Sequence, residues 1–332
     1  MCGISSLPEV FSHIYVEKRA REYIMTEQVL SHFKGSTVID IEHYKDVFNR
    51  PGQDLYLQNS SKNLIIAVNE GKKIFKGAPV CQDFGFDRFY YAESAMNCIF
   101  SCDYCFLKGM YGTSNIVIFV NYVDYLKECE KMLEEGPVYL CASFDTDLAA
   151  LSGICSWQSI WEDFAASHPE FTLELRTKAA VSRVTSKENI IYAFTVSPEK
   201  IIKLYEKNTP TLKTRLNSIN NALSQGASVR LCFDPIIYVK DYELCYNEFV
   251  DTVLDAVDIK LIRDISIGTF RISSGYLQNI RRACPYSSAV HFPFAKEDGY
   301  AVYPKKLRQS MIGILENRLK GAGCESKLYV MP

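Results

Sequence analysis

Cys98-Ile99-Phe100-Ser101-Cys102-Asp103-Tyr104-Cys105 places three cysteines at C-x3-C-x2-C spacing within eight residues. Three thiolates this close can hold three irons of a [4Fe–4S] cube and leave the fourth iron without a protein ligand. An open iron is a site for chemistry, because clusters that only carry electrons normally have every iron capped by cysteine. Three structural cysteines, or a zinc knuckle, are the plainer readings of the same residues. Zinc asks for four ligands, usually as two close pairs, and the nearest histidines, His43 and His168, are far away in the chain.

Around this loop the chain alternates between strand and helix patterns. Candidate strands are Arg88–Ala92, Pro137–Ser143, Phe171–Thr177, Ile190–Ser197, Ser228–Phe233 and Asp264–Arg271, with Asn115–Val120 as an extra β-rich segment. Candidate helices are Tyr122–Glu135, Trp157–Ser167, Pro198–Tyr205, Leu212–Ser224 and Tyr242–Ala256. Six strands alternating with helices predict a parallel sheet with right-handed crossovers. The predicted fold class is α/β, a partial (βα)6 barrel of TIM type with the cysteine loop at its C-terminal mouth. Residues 1–85 read as a small α/β extension, with a helix over Tyr15–Phe33 and a buried strand at Leu64–Val68. Residues 86–285 form the core, and residues 286–332 a tail with a strand at Tyr300–Tyr303, a helix opened by Pro304 and a closing strand at Lys327–Val330.

Composition agrees with an intracellular iron protein. Twelve cysteines in 332 residues, Cys2, Cys81 and Cys324 among those outside the cluster loop, show no paired framework. An oxygen-sensitive cluster also needs a reducing compartment, so the expected location is the cytoplasm. MCGISSLPEV lacks a basic start followed by an apolar run, and no stretch reaches the roughly 18 apolar residues of a membrane span. The net charge is −2, but it is unevenly spread. From Ile259 onward there are 12 Lys/Arg against 5 Asp/Glu, whereas the first 258 residues carry 25 against 34. A basic tail on an acidic body is either a polyanion footprint or a solvated helix face.

The segments PGQDLYLQNSSKNLIIAV, YAESAMNCIFSCDYCFLKGMYG, YLCASFDTD, LELRTK, FTVS and GYAVYPKK resemble the spore photoproduct lyase family of radical-SAM enzymes, from about residue 48 to the C-terminus. The resemblance implies a radical-SAM core, with Cys98, Cys102 and Cys105 as cluster ligands and S-adenosylmethionine on the open iron. It implies a 5′-deoxyadenosyl radical that takes a hydrogen from a thymine photoproduct in DNA, after which the link between the two bases breaks. A flavodoxin- or ferredoxin-type reductant would supply the electron. Cys141, at a predicted strand end, matches the thiol that returns a hydrogen atom to the product radical. Ser143, Lys178 and Ser197 match positions of the S-adenosylmethionine pocket, and Tyr104 matches a tyrosine beside it.

The chain departs from the family at three places. Phe106 replaces a tyrosine thought to relay the hydrogen atom, and phenylalanine has no O–H. Asp234 replaces a small apolar residue and adds a carboxylate able to meet a ribose. Ala295-Lys296 replaces the Arg-Tyr pair that pries the lesion from the duplex, which leaves base extrusion without its wedge. Three readings stay open: a lyase acting on a DNA photoproduct, a related radical-SAM enzyme with a different, small substrate, and a non-catalytic electron carrier or redox sensor.

Overall fold

The computed structural model describes residues 11–78 and 81–331; Cys2 and the expectation drawn from the first ten residues lie outside them. Strands β1 (Phe89–Ala92), β2 (Val138–Cys141), β3 (Phe171–Thr177), β4 (Ile190–Thr195), β5 (Ser228–Ile236), β6 (Asp264–Thr269) and β7 (Leu328–Met331) pair in that order, all parallel. Ile74–Lys76 adds an antiparallel strand beside β1. The sheet is open, with Ile74–Lys76 at one edge and β7 at the other. Phe84, in the loop before β1, packs on Tyr329 of β7 at 5.1 Å and on Tyr139 of β2 at 6.1 Å. That loop therefore touches strands near both ends of the sheet.

Helices α1 (Tyr122–Glu134), α2 (Trp157–Ser167), α3 (Glu199–Tyr205), α4 (Leu212–Ser224) and α5 (Tyr242–Ala256) form the crossovers. Their bounds fall within a residue or so of the sequence expectation, because each carries one apolar stripe at helical spacing. In α2 the i, i+4 pair Trp157 and Trp161 is fully buried and stacks at 5.7 Å. The connection from β3 to β4 has no helix and crosses in an extended loop. Two further helices follow the barrel strands, α6 (Ser274–Ala283) and α7 (Lys305–Gly321). The first of these was not expected from the sequence.

The N-terminal region differs from expectation. Tyr15–Phe33 is not one helix: His13–Glu17 is a strand, and the helix is confined to Ile24–Ser31. Ile14 and Val16 point into the core two residues apart, a short β period hidden inside a longer apolar run. The carboxylate of Glu17 is buried, accepting from the backbone N–H of Tyr44 and Val68 and from Arg19. This strand lies in a second sheet, ordered Thr37–Ile41, His13–Glu17, Leu64–Ala67, Ile116–Phe119, Ala95–Met96. The extra β segment after the cysteine loop thus pairs with the N-terminal strands and ties that region to the loop.

Candidate active site

Alternation along the barrel strands decides what faces inward. In β3, Leu173, Leu175 and Thr177 are buried, and Glu174 and Arg176 line the interior with Lys178 just beyond. Cys141 of β2 and Asp234 of β5 take the same facing. These side chains and the three loop cysteines line one cavity of about 580 Å³ at the C-terminal end of the sheet.

The loop carrying Cys98, Cys102 and Cys105 is held from two sides. Ser101–Cys102 pairs antiparallel with Glu206–Lys207, and the Asp103 N–H donates to the Tyr205 carbonyl at 2.7 Å. From the other side, the Lys62 ammonium donates to the carbonyls of Cys98, Ile99 and Phe100 at 2.6, 3.2 and 2.7 Å. Burial pushes the Cys102 thiol up to about 12, against the pull of the Lys178 charge, and raises Cys98 further. A metal bound here would have to overcome that by taking the thiolates. Among the described residues no three His, Cys, Asp or Glu side chains converge as a single-ion site. One tetrahedral ion would need sulfurs within about 4 Å of one another. A cube takes each thiolate on a different iron and does not ask all three sulfurs to meet one ion.

Beside the cysteines lie polar groups without partners. The Ser143 and Thr146 hydroxyls are buried and accept or donate no hydrogen bond among the described residues. Lys178 has no carboxylate at ion-pair distance among the described residues, and its ammonium lies 5.6 Å from the Tyr104 ring centroid. Burial opposes its charge, but Cys102 and Glu206 outweigh that and keep its pKa above the ordinary value. Asp147 fixes this strand end by accepting from the Thr177 hydroxyl at 2.7 Å and the Lys178 N–H at 2.8 Å. A cavity with an unpaired ammonium and orphaned hydroxyls fits a zwitterionic amino-acid ligand, because each such group otherwise costs its full desolvation penalty.

Ser197 does not line the cavity. Its hydroxyl donates to Glu206 at 2.8 Å, and the same carboxylate takes the Tyr104 hydroxyl and the Arg215 guanidinium. Glu206, invisible in the sequence reading, is thus the buried centre that fixes Tyr104, Ser197 and the strand pairing of the cysteine loop. Asp234 lines the cavity, but both of its oxygens accept from Arg271, at 3.0 and 3.1 Å.

On the barrel floor the Cys141 thiol donates to Glu174 at 3.6 Å. Glu174 in turn takes hydrogen bonds from Arg176 (3.1 Å), Arg230 and Tyr139. Burial, then the Glu174 charge, hold the Cys141 pKa well above its ordinary value, so the group stays an S–H. Phe106 packs on Phe144 at 5.1 Å, and Phe144 on Tyr91 at 4.3 Å, giving one aromatic wall. Cys81, Tyr276 and Tyr300 also line the cavity. Glu174 and Arg176 were legible in principle, as charges at alternate positions of L-E-L-R-T-K; Tyr276 and Tyr300 carried no signal.

A family model described as spore photoproduct lyase matches residues 9–283. The spore photoproduct lyase of Clostridium acetobutylicum is 20% identical over 291 residues, covering 84% of each chain. A solved structure of spore photoproduct lyase complexed with dinucleoside spore photoproduct superposes with a TM-score of 0.81 at 16% identity, over 97% of this chain and 98% of that one. A mutant with bound AdoMet and dinucleoside spore photoproduct gives a TM-score of 0.79 at 16% identity, with the same coverage. At these identities the superpositions establish the fold.

Proposed function

The chain belongs to the spore photoproduct lyase family of radical-SAM lyases, and from that premise we propose that it repairs a thymine photoproduct in DNA. In this reading Cys98, Cys102 and Cys105 hold a [4Fe–4S] cluster, and the cavity beside them takes S-adenosylmethionine. The observation that carries it is the sharing of one cavity by the three cysteines, Lys178 and Cys141. Bound together, cluster and S-adenosylmethionine supply a carbon radical able to take a hydrogen atom from the lesion.

The protein's own side chains do the rest. Lys178 offers its ammonium to the methionyl carboxylate, and the Ser143 hydroxyl gains a partner. Tyr104 and Ser197 act through Glu206, which sets the pocket floor, and Asp234 presents its Arg271 ion pair to the ribose side. Cys141 would give its hydrogen atom to the product radical: the S–H bond breaks, a C–H bond forms, and the sulfur radical left on Cys141 takes a hydrogen atom from an external thiol. The Tyr91–Phe144–Phe106 wall keeps water from that exchange. Residues 1–85 buttress the cysteine loop, residues 86–285 carry the chemistry, and residues 286–332 flank the substrate side. A flavodoxin- or ferredoxin-type reductant and a cytoplasmic setting follow from the need for a reduced cluster. Among the described residues no helix is long and apolar enough to cross a membrane.

Phe106 and the Ala295-Lys296 hairpin favour a second reading, the same radical chemistry on a different substrate. Anaerobic reconstitution followed by S-adenosylmethionine, dithionite and dinucleotide photoproduct separates the two. The lyase yields thymine monomers. Formation of 5′-deoxyadenosine with the photoproduct untouched favours the second reading, and no cleavage of S-adenosylmethionine defeats both.

A further inference from the structure

Four consecutive carbonyls of the cysteine loop are held by two lysines. Lys62 takes those of Cys98, Ile99 and Phe100, and Lys108, itself buried, donates to Ser101 at 3.2 Å. Neither ammonium has a carboxylate at ion-pair distance among the described residues. Lys108 otherwise meets only the Cys284 sulfur, at 3.5 Å. Cations drawn out of water normally sit against an anion, and what this one meets is the backbone of the cysteine loop itself. The Lys62 backbone is also well placed to act as a fixed post. It stands two residues before Leu64–Ala67, and the Asn63 N–H donates to the Asn115 side chain at 3.0 Å.

We propose that Lys62, reaching from the N-terminal sheet, holds the cysteine loop in its ligating shape and, with Lys108, offsets the negative charge of the bound cluster. The proposal rests on the cluster assignment made above. Three thiolates on a [4Fe–4S] cube leave it anionic, and reduction adds one more negative charge. A fixed cation nearby favours the reduced form, so net charge and hydrogen bonding set the potential. Tied to the lysines, the loop carbonyls are drawn toward a cation.

The test uses the full chain with Lys62→Met and Lys62→Arg. In anaerobically reconstituted protein, an EPR-monitored redox titration reads the cluster potential. Lys62→Met is expected to lower the reduction equilibrium constant about tenfold, which is about 59 mV for one electron. Lys62→Arg, which keeps the charge, restores most of it. A potential unchanged in a Lys62→Met protein carrying four irons overturns the proposal. Hydrogen exchange on the iron-free protein is the second measurement and needs no cluster. Amides 98–103 should exchange at least tenfold faster in Lys62→Met, and the barrel strands should not change. If Lys62→Met takes up no iron, this measurement decides, and unaltered exchange there overturns the proposal. If the unsubstituted chain takes up no iron, the cluster assignment falls, while the exchange comparison still tests Lys62 as the loop's anchor.

Discussion

Cys141, the hydrogen donor of the proposed reaction, lines the cavity beside the aromatic wall, and its neighbour Glu174 is an anion held by two arginines. A carboxylate 3.6 Å from the sulfur disfavours thiolate and preserves the S–H bond that the chemistry requires. Cys141→Ala should therefore leave cluster assembly and S-adenosylmethionine cleavage intact and stop the clean return of hydrogen. With heavy water exchanged onto the thiol, deuterium should enter the product of the unsubstituted protein and much less that of the variant. Equal deuterium in both would make Cys141 an ordinary strand cysteine. Lys178→Ala removes a charge-assisted hydrogen bond and should cost about 1.5–3 kcal/mol of cofactor affinity, more than tenfold. A dissociation constant that does not move would take Lys178 out of the pocket. Cysteine spacing and strand-end position made most of the candidate residues legible. Glu206 was not, because its importance comes from Tyr104, Ser197 and Arg215 meeting it from segments far apart in the chain.

At the scale of elements, the barrel strands carry charges that a purely apolar core would exclude. Arg230 of β5 donates to Glu174 of β3 and to Asp264 of β6, and its guanidinium lies against the Phe84 ring at 3.2 Å. Three strands are thus joined by one cation, and removing it takes a buried partner from each of two carboxylates. Arg230→Met should cost about 3–5 kcal/mol, read as a lower urea midpoint, because breaking a buried pair strands its partners. Burial alone would raise the Glu174 pKa, but Arg176 and Arg230 hold it near 2, below its ordinary 4.5. Its contribution to stability is therefore complete above about pH 4.5 and is lost as the pH falls through 2. In Arg230→Met that acid-side loss should move to higher pH; an unmoved acid limb would show that Arg176 alone holds the charge. These strands were legible because six apolar runs alternate with amphipathic helices. His13–Glu17 was not, since five residues of period two cannot outvote the longer helical pattern around them. The second sheet escaped notice for a related reason: its strands come from both sides of the first barrel strand.

Across the whole molecule, the basic C-terminal part is partly neutralised by ion pairs. Arg263 pairs with Asp264, Arg271 with Asp234, Arg308 with Glu297, Arg318 with Asp251 and Lys320 with Glu316. Lys327 caps the carbonyls of Ile259, Lys260 and Ile262. From Ile259 onward Lys260 and Arg282 are exposed without an ion pair among the described residues. Within residues 286–332 the exposed lysines so left are Lys296, Lys305 and Lys306. They gather beside the hairpin Ala295–Val302, whose Tyr300 lines the cavity. Each phosphate neutralised contributes a log–log salt slope of about −0.9 on duplex DNA. The excess of cations over acids from Ile259 onward would set a slope near −6, whereas the three lysines gathered at the hairpin set one near −3. Affinity for duplex DNA measured from low to moderate salt should follow the shallower line. Lys305→Glu with Lys306→Glu should flatten it to about −1, and Arg308→Glu should add little, because that guanidinium already belongs to Glu297. A slope near −6 would mean the internal ion pairs open to meet phosphate. A slope of zero would take DNA out of this face and leave the cavity to a small substrate.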